Sequence, residues 1–278
     1  MENVETNTKK KIFIHMHGGL ANQLFQVAAT YEIAKKHNRD LVLVYKDNFR
    51  RHMAHNTHKD EFFSTIFKDF NNIFYNDIDF SNVIIYHEPK CFEYYDNIIQ
   101  ENADYYIEGY FQNKQYLNNC KSEVLQLFQN PIICKEISTK YILLDQSYFI
   151  HIRRGDYVNN PTYTFDYEHY FMNAIQYIMH KEENLYTHFF IVSDDIYYCK
   201  QHYIFRNIPR KTFVERMSTL DTLYFMSLCK KGGICSNSTF SGWATNLNSN
   251  IKKTVIVPKQ WINIDYPYEI PFDYTVSF

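Results

Sequence analysis

Apolar and polar positions along the 278 residues fall into two alternating rhythms. "KIFIHMH" (11–17) reads as a strand and "GGLANQ" as a turn. Leu24, Val27, Ala28 and Tyr31 then recur at the i, i+3, i+4, i+7 spacing of one helix face. "DLVLVY" (40–45) predicts a second strand, and "ADYYIEGYF" (103–111) a further one followed by a helix near 113–128. Residues 46–100 are polar, aromatic and irregular, with short apolar runs such as "NVIIYH" and no assignable element. The second half is clearer. "SYFIHI" predicts a strand, Tyr167, Tyr170, Phe171, Ala174, Ile175 and Ile178 a helical stripe, and "THFFIVSDD" a strand ending in two aspartates. Ser218 and Asp221 have the spacing of a capping box ahead of a helix with Leu220, Leu223, Tyr224 and Leu228. "GGICSNS", "TFSGWATNLN" and "KTVIVP" close the series as strand, helix and strand.

Strands of about six residues alternating with helices imply right-handed crossovers and parallel sheets. The expected fold class is therefore α/β with two Rossmann-like domains. The expected division gives an N-terminal half over 1–135 and a C-terminal half over 136–278, with the C-terminal tail free to cross back. No internal repeat or low-complexity linker interrupts the chain. In open α/β sheets ligands bind outside the carboxyl ends of the strands. "GGLANQ", "RRGD", "SDD" and "SNSTFS" each follow a strand-like segment, so four polar clusters are expected along that edge of their sheets.

Composition changes the picture in three places. A hydrophobic content of 45% with 22% charged residues fits a packed globular chain. The net charge of −2 argues against a nucleic-acid binder, so any anion site must be a local concentration of positive charge. Tyr (25) and Phe (23) suit stacking on sugars or bases as well as core packing, and composition does not separate the two. None of the six cysteines forms a C-x-x-C pair, and the N-terminus has no apolar run behind its lysines that could be a signal peptide. No stretch approaches the roughly 18 apolar residues of a membrane span. The expectation is a soluble, cytoplasmic protein with reduced thiols.

The charge in "FIHIRRGDYV" (149–158) raises the question of chemistry. Side chains alternate while a strand lasts, which sets His151 and Arg153 on one face and releases Arg154 once the turn begins. A guanidinium is a planar fork matched to phosphate oxygens and keeps its proton, so Arg153 suits a diphosphate. Asp156 stands near enough to orient it or to accept a proton. The same residues could instead form a structural Arg–Asp network at the domain boundary. "GGLANQ" offers backbone N–H groups at a helix N-terminus, but it matches neither the dinucleotide nor the P-loop fingerprint, and Gly18-Gly19 alone reads as a tight turn. Ser236, Asn237, Ser238, Thr239 and Ser241 could ring a phosphate or supply an N-cap. Asp194 and Asp195 could bind ribose hydroxyls or guanine N–H groups, or cap the next helix. Asp77-x-Asp79 has the D-x-D spelling of metal-dependent transferases, though a solvated loop is the favoured reading. His52, His55 and His58 lack zinc-site spacing and read as a basic loop.

Together "GGLANQLFQVA", "EGYFQNKQYL", "HIRRGDYV", "HYFMNAIQYI", "FFIVSDDIYYCK" and "SNSTFSGWATNLN" resemble, in order, the α-1,2-fucosyltransferases of glycosyltransferase family 11 over roughly residues 11–261. The resemblance implies a GT-B fold with a cleft between two Rossmann-like domains. It implies GDP-β-L-fucose as donor, inversion to an α-linked product, and no metal cofactor. Arg153 resembles the arginine that binds the donor pyrophosphate and stabilises departing GDP, and His151 its partner on the nucleotide side. Arg154 and Asp156 complete the motif. Asn22 resembles the asparagine that reaches towards phosphate and fucose. Asp194 and Asp195 fall on the family's S-D-D, and Ser238, Thr239 and Phe240 lie where related enzymes hold phosphate and base. The implied partners are GDP-fucose and a glycan acceptor, such as one ending in galactose; nothing specifies an oligomeric state. Two positions depart from the pattern. Ala21 replaces a glycine, which matters if that residue needs φ > 0. Gly242 replaces the first tryptophan of S-T-F-S-W-W-A, which bears on cleft packing or acceptor shape.

The implied reaction is attack by a sugar hydroxyl on the anomeric carbon of fucose, with Arg153 stabilising charge that grows on the β-phosphate. Asp156 is the first candidate base, with His15 and His17 next from position. Rival readings are a metal-dependent transferase using Asp77 and Asp79, a non-catalytic module that binds GDP without turnover, and a structural protein that binds no GDP.

Overall fold

The computed structural model describes residues 9–46, 59–182 and 187–278. The chain divides into two compact units, Met1–Phe128 and Gln129–Phe278. The first contains β1 (Lys11–His15), α1 (Leu20–Lys36), β2 (Asp40–Tyr45), α2 (Lys59–Ser64), β3 (Asn71–Phe74), β4 (Val83–His87), β5 (Asp104–Glu108) and α3 (Lys121–Leu127). Its five strands lie in the order β3-β2-β1-β5-β4, and every pairing is parallel. The central strands bury Ile12, Ile14, Leu43, Val44 and Ile107 completely. Helix α1 covers them with the predicted stripe of Leu24, Val27 and Ala28, while Tyr31 is half-buried at its edge.

Two differences from the sequence pattern have local causes. Strands β3 and β4 take the outer positions of the sheet, where only part of each strand is covered. They therefore lack the continuous apolar run that marks a buried strand. The helix expected over 113–128 is broken into a 3-10 turn, Lys114–Leu117, and α3. Asn113 caps the turn by accepting from the Gln115 N–H at 2.9 Å. Asn119 is then drawn to Glu32, donating from its backbone (3.2 Å) and its side-chain amide (2.9 Å), and the chain restarts its helix after Cys120.

The second unit contains α4 (Pro131–Lys140), β6 (Ser147–Ile152), α5 (Tyr167–Glu182), β7 (His188–Ser193), α6 (Ile196–Gln201), α7 (Tyr203–Arg206), β8 (Lys211–Phe213), α8 (Thr219–Leu228), β9 (Gly232–Ile234), α9 (Thr239–Leu247), β10 (Thr254–Val257) and β11 (Val276–Ser277). The order β11-β10-β9-β6-β7-β8, all parallel, is the 3-2-1-4-5-6 arrangement of dinucleotide-binding sheets. Strand β6 lies between β7 and β9 and is buried at all six positions. Helix α8 begins as the capping spacing predicted, with Ser218 Oγ accepting from the Asp221 N–H at 3.0 Å. The sequence reading passed over α4, although it carries a start signal: Asn130 accepts from the Ile133 N–H (3.2 Å) and Pro131 opens the helix. A division at 135/136 would cut through α4, which packs on α8; the units part at Phe128/Gln129 instead. Among the described residues no helix is long and apolar enough to cross a membrane.

Residues 258–278 belong to the second unit, where β11 adds to the edge of the sheet beside β10. Phe272, 2% exposed, lies over Gly242 and edge-on to Trp243 at 6.3 Å between centroids. A Cβ on Gly242 would come within 2.1 Å of the Phe272 ring. The volume that a tryptophan at 242 would occupy is thus filled by a phenylalanine from the tail. Phe272→Ala is expected to cost about 3–5 kcal/mol, measured by urea unfolding. Gly242→Trp should also destabilise, and the combination Gly242→Trp with Phe272→Ala should recover part of both losses, because the new ring enters the vacated space.

Candidate active site

In the second unit the strand order reverses between β6 and β9, and open α/β sheets bind ligands beyond the carboxyl ends of such a strand pair. His151, the penultimate residue of β6, is 5% exposed, and its Nδ1 lies 3.0 Å from the Oγ of Ser236, two residues past β9. Burial, and then the charge of Arg153, push the His151 imidazole down to about 3. It is neutral at physiological pH and bridges the two sides of the crevice.

The next residues leave the strand. One guanidinium nitrogen of Arg153 pairs with Asp194 Oδ2 at 2.8 Å, and another pairs with Asp156. The Tyr157 ring lies 5.4 Å from the same guanidinium. Asp194, just past β7, also accepts from the Arg154 N–H through its other oxygen at 2.8 Å. Arg154 escapes the strand alternation, as expected, and lays its guanidinium 3.4 Å above the Tyr198 ring while Nε donates to Asp195 at 3.3 Å. Asp195 also caps α6, accepting from the Tyr198 N–H at 3.0 Å. These carboxylates therefore act first as an arginine clamp and a cap. With Asp156 53% and Asp195 42% exposed, such pairs contribute on the order of 0–1 kcal/mol each. Those two pairs add little stability, and together with the less exposed Arg153–Asp194 pair they fix where two guanidinium forks point.

Helix α9 starts at the same end of the sheet. Ser238 caps it, accepting from the Phe240 N–H at 3.3 Å. Ser236, Asn237, Ser238 and Ser241 are buried, and Asn237 donates to the carbonyls of Tyr163 and Trp261, both at 3.0 Å. Thr239 and Phe240 are half-buried in the first turn, with the Phe240 ring 5.7 Å from His151. The turn combines hydroxyls with the positive end of a helix, a setting that favours an anion.

Nine of the ten predicted site residues thus gather at the carboxyl end of the second sheet: His151, Arg153, Arg154, Asp156, Asp194, Asp195, Ser238, Thr239 and Phe240. The tenth, Asn22, lies in the first turn of α1 in the other unit, where its Oδ1 accepts from Gln112 Nε2 at 3.0 Å. There the left-handed backbone conformation belongs to Gly18, at φ 74°, and a Cβ on Gly18 would meet the Asn22 side chain at 2.7 Å. Ala21 is helical, so replacing glycine there carries no backbone penalty.

The sequence reading missed Tyr198, the Tyr157–Tyr163 stack at 4.0 Å, and Glu108. Glu108 ends β5 and faces His15 Nδ1 at 2.8 Å, His87 Nδ1 at 3.0 Å and Lys46 Nζ at 3.5 Å. Three strands, "KIFIH", "VIIYH" and "DYYIE", end in an ionisable residue, and that signal could have revealed the cluster. Asp77 and Asp79 are exposed, and Asp79 caps a turn by accepting from the Ser81 N–H (3.0 Å) and Oγ (2.7 Å). Among the described residues no three His, Cys, Asp or Glu side chains are grouped to hold a metal ion. His52, His55 and His58 lie outside the described residues.

Two parallel-sheet units of this kind put the chain in the GT-B class, and the solved structures similar to it agree. The fucosyltransferase NodZ from Bradyrhizobium, in crystals soaked with GDP-fucose, matches with a TM-score of 0.51 at 13% identity, covering 86% of this chain and 93% of that one. The sequence profile of Glycosyl transferase family 11 matches residues 70–269, and the chain belongs to that family. It is a glycosyltransferase, so the non-catalytic and purely structural readings fall away. Its relatives include an α-1,2-colitosyltransferase of Escherichia coli, 29% identical over 90% of this chain and 92% of the relative. The O-antigen biosynthesis glycosyltransferase WbnK of Escherichia coli is 27% identical over 88% of this chain and 93% of its own length.

The buried imidazole makes a prediction about pH. Unfolded His151 takes a proton near pH 6.5, whereas the folded residue waits until about 3. Between those values the unfolded state holds the extra proton, so stability falls as pH drops, approaching about 1.4 kcal/mol per unit for this residue. His151→Asn should flatten that fall, read from urea unfolding at about pH 7.5, 6 and 5.

Proposed function

We propose that the chain is an inverting, metal-independent fucosyltransferase that moves L-fucose from GDP-β-L-fucose to a glycan hydroxyl, the 2-OH of a terminal galactose or similar sugar. Membership of family 11 and the GDP-fucose named with the NodZ crystals support the donor. The α-1,2 linkage named for the colitosyltransferase and the O-antigen role named for WbnK support the linkage and a glycan acceptor.

The observation that carries the reading is the clamped guanidinium of Arg153, held by Asp156 and Asp194 at the end of β6. In this reading the second unit takes the donor and the first the acceptor. Arg153 meets the β-phosphate as the anomeric C–O bond breaks, and it neutralises charge that a metal would otherwise offset. Asp156 and Asp194 orient it. Arg154, Asp195, His151, Ser238, Thr239 and Phe240 hold the nucleotide end, and the family motif assigns Asn22 to donor binding as well. The colitosyltransferase relative favours a second donor, GDP-activated colitose, within the same chemistry.

The test is GDP release from each GDP-sugar with galactose- and N-acetyllactosamine-type acceptors, with and without EDTA, and in Arg153→Ala. Turnover should survive EDTA and fall by about 10²–10³ in the variant. Abolition by EDTA would return the reaction to a metal-dependent mechanism, and absence of GDP binding by the wild type would overturn the donor assignment.

A further inference from the structure

Crossover helices in a parallel sheet run back to the amino ends of the strands, so helix C-termini gather at that edge. In the second unit it is the end opposite Arg153, and it combines two kinds of side chain. Among the described residues, four large apolar side chains are more than 70% exposed. Three of them belong to this unit's isoleucines: Ile132 at 72%, Ile142 at 89% and Ile251 at 92%.

Hydrogen bonds tie their three segments together. Ile142 lies between α4 and β6, and Ile251 in the turn between α9 and β10. The Lys230 N–H donates to the Leu144 carbonyl at 3.0 Å, and the Lys230 carbonyl accepts from Asn250 Nδ2 at 2.7 Å. Lys230 thereby joins both turns just ahead of β9. Ile132 stands in the first turn of α4, and Gln129 before it donates to the Leu247 carbonyl at 3.2 Å, where α9 ends. Leu143, 40% exposed, extends the apolar surface beside Ile142.

The same turns are rich in lysine. Residues 140–146, 181–182, 230–231 and 249–254 hold six lysines against Asp145 and Glu182, in a chain of net charge −2. Glu182 pairs with Lys231. Lys181 donates to Thr254 Oγ1 at 2.6 Å and Lys230 to Ser249 Oγ at 3.2 Å, neutral partners that leave both charges in place. Lys140 and Lys252 are exposed next to the two isoleucine turns, and within α4 Lys135 and Glu136 balance each other.

A helix C-terminus favours a cation, which accounts for Lys140 and Lys181. It does not account for isoleucines about nine-tenths exposed. One such residue is ordinary, whereas several on hydrogen-bonded neighbouring turns among lysines mark a contact surface. A nucleic acid would engage the lysines and leave the isoleucines in water. A bilayer interface satisfies both, because phosphate headgroups meet the cations and the acyl boundary takes the apolar tips.

We propose that this edge of the second unit docks on an anionic phospholipid surface, with Ile142 and Ile251 entering it and Lys140, Lys230 and Lys252 meeting its headgroups. The inference is independent of the donor and acceptor assignments. The Arg153 clamp lies at the other end of the same sheet, so the lipid does not cover it.

The experiment is co-sedimentation of the full chain with vesicles of phosphatidylcholine alone and of equal parts phosphatidylcholine and phosphatidylglycerol. Wild type is compared with the pairs Ile142→Ser/Ile251→Ser and Lys140→Gln/Lys252→Gln, whose urea unfolding midpoints should match its own. The wild type should sediment with the mixed vesicles, stay in solution with phosphatidylcholine alone, and be released by salt. The lysine pair should bind about 10–30-fold more weakly, from roughly fivefold per charge. The isoleucine pair should lose at least about tenfold. Failure of the wild type to bind the mixed vesicles overturns the proposal. Undiminished binding by the isoleucine pair also overturns it, leaving adhesion to any polyanion. Self-association of the wild type that the isoleucine pair abolishes, with no vesicle binding, would make the surface a contact between copies of the chain instead.

Discussion

The arrangement depends on one constraint: all strands of a parallel sheet end on the same side, and the crevice between two of them stays open where the strand order reverses. In the second unit β6 and β9 flank the reversal. Each unit joins a histidine on its first strand to a partner beyond or at the end of a neighbouring strand, His151 to Ser236 and His15 to Glu108. The environments then separate the two imidazoles. Burial and a nearby arginine leave His151 uncharged down to about pH 3, which suits a fixed strut. An anion beside a partly open ring leaves His15 able to change state.

Much of this was legible in the sequence, and the boundary of legibility follows burial. Strands β2 and β6 match their apolar runs to the residue, because central strands covered on both faces need continuous apolar sequence. The outer strands β3 and β4 do not, since much of their surface meets solvent. The polar cluster at the end of the second sheet was legible because strand-end position and polar composition coincide in "RRGD", "SDD" and "SNS". Glu108 was not, because its meaning lies in register: only pairing across β1, β5 and β4 brings it to His15 and His87. Tyr198 was hidden by abundance, as one tyrosine among 25 carries no signal until a guanidinium lies on it.

The departures at Ala21 and Gly242 teach a narrower lesson about motifs. A glycine can be required for its backbone or for its missing side chain, and the two requirements fail differently. Position 21 is helical, so the required left-handed residue is Gly18 and alanine is harmless. Position 242 is the reverse case. The glycine there is demanded by Phe272, whose ring occupies the space directly above it and packs against Trp243 and Trp261. Losing an aromatic from the motif has not emptied the core, because the aromatic surface is supplied from the chain's tail.

Charge balance bears on how a chain of net charge −2 would serve the proposed anion site. Arg153 and Arg154 face three carboxylates, Asp156, Asp194 and Asp195, so the cluster without donor carries no excess positive charge. In the proposed function a diphosphate entering it would meet guanidinium groups that are already aimed but partly neutralised. In the proposed reaction that balance has a purpose. Bare arginines would bind GDP more tightly both before and after transfer, and uniform binding of this kind does not speed the chemical step. Carboxylates that stay paired with Arg153 temper its grip on the ground state while fixing its direction. The charge that develops on the β-phosphate as the glycosidic bond breaks then meets a preset dipole. In the proposed reaction the clamp would therefore serve orientation and release together.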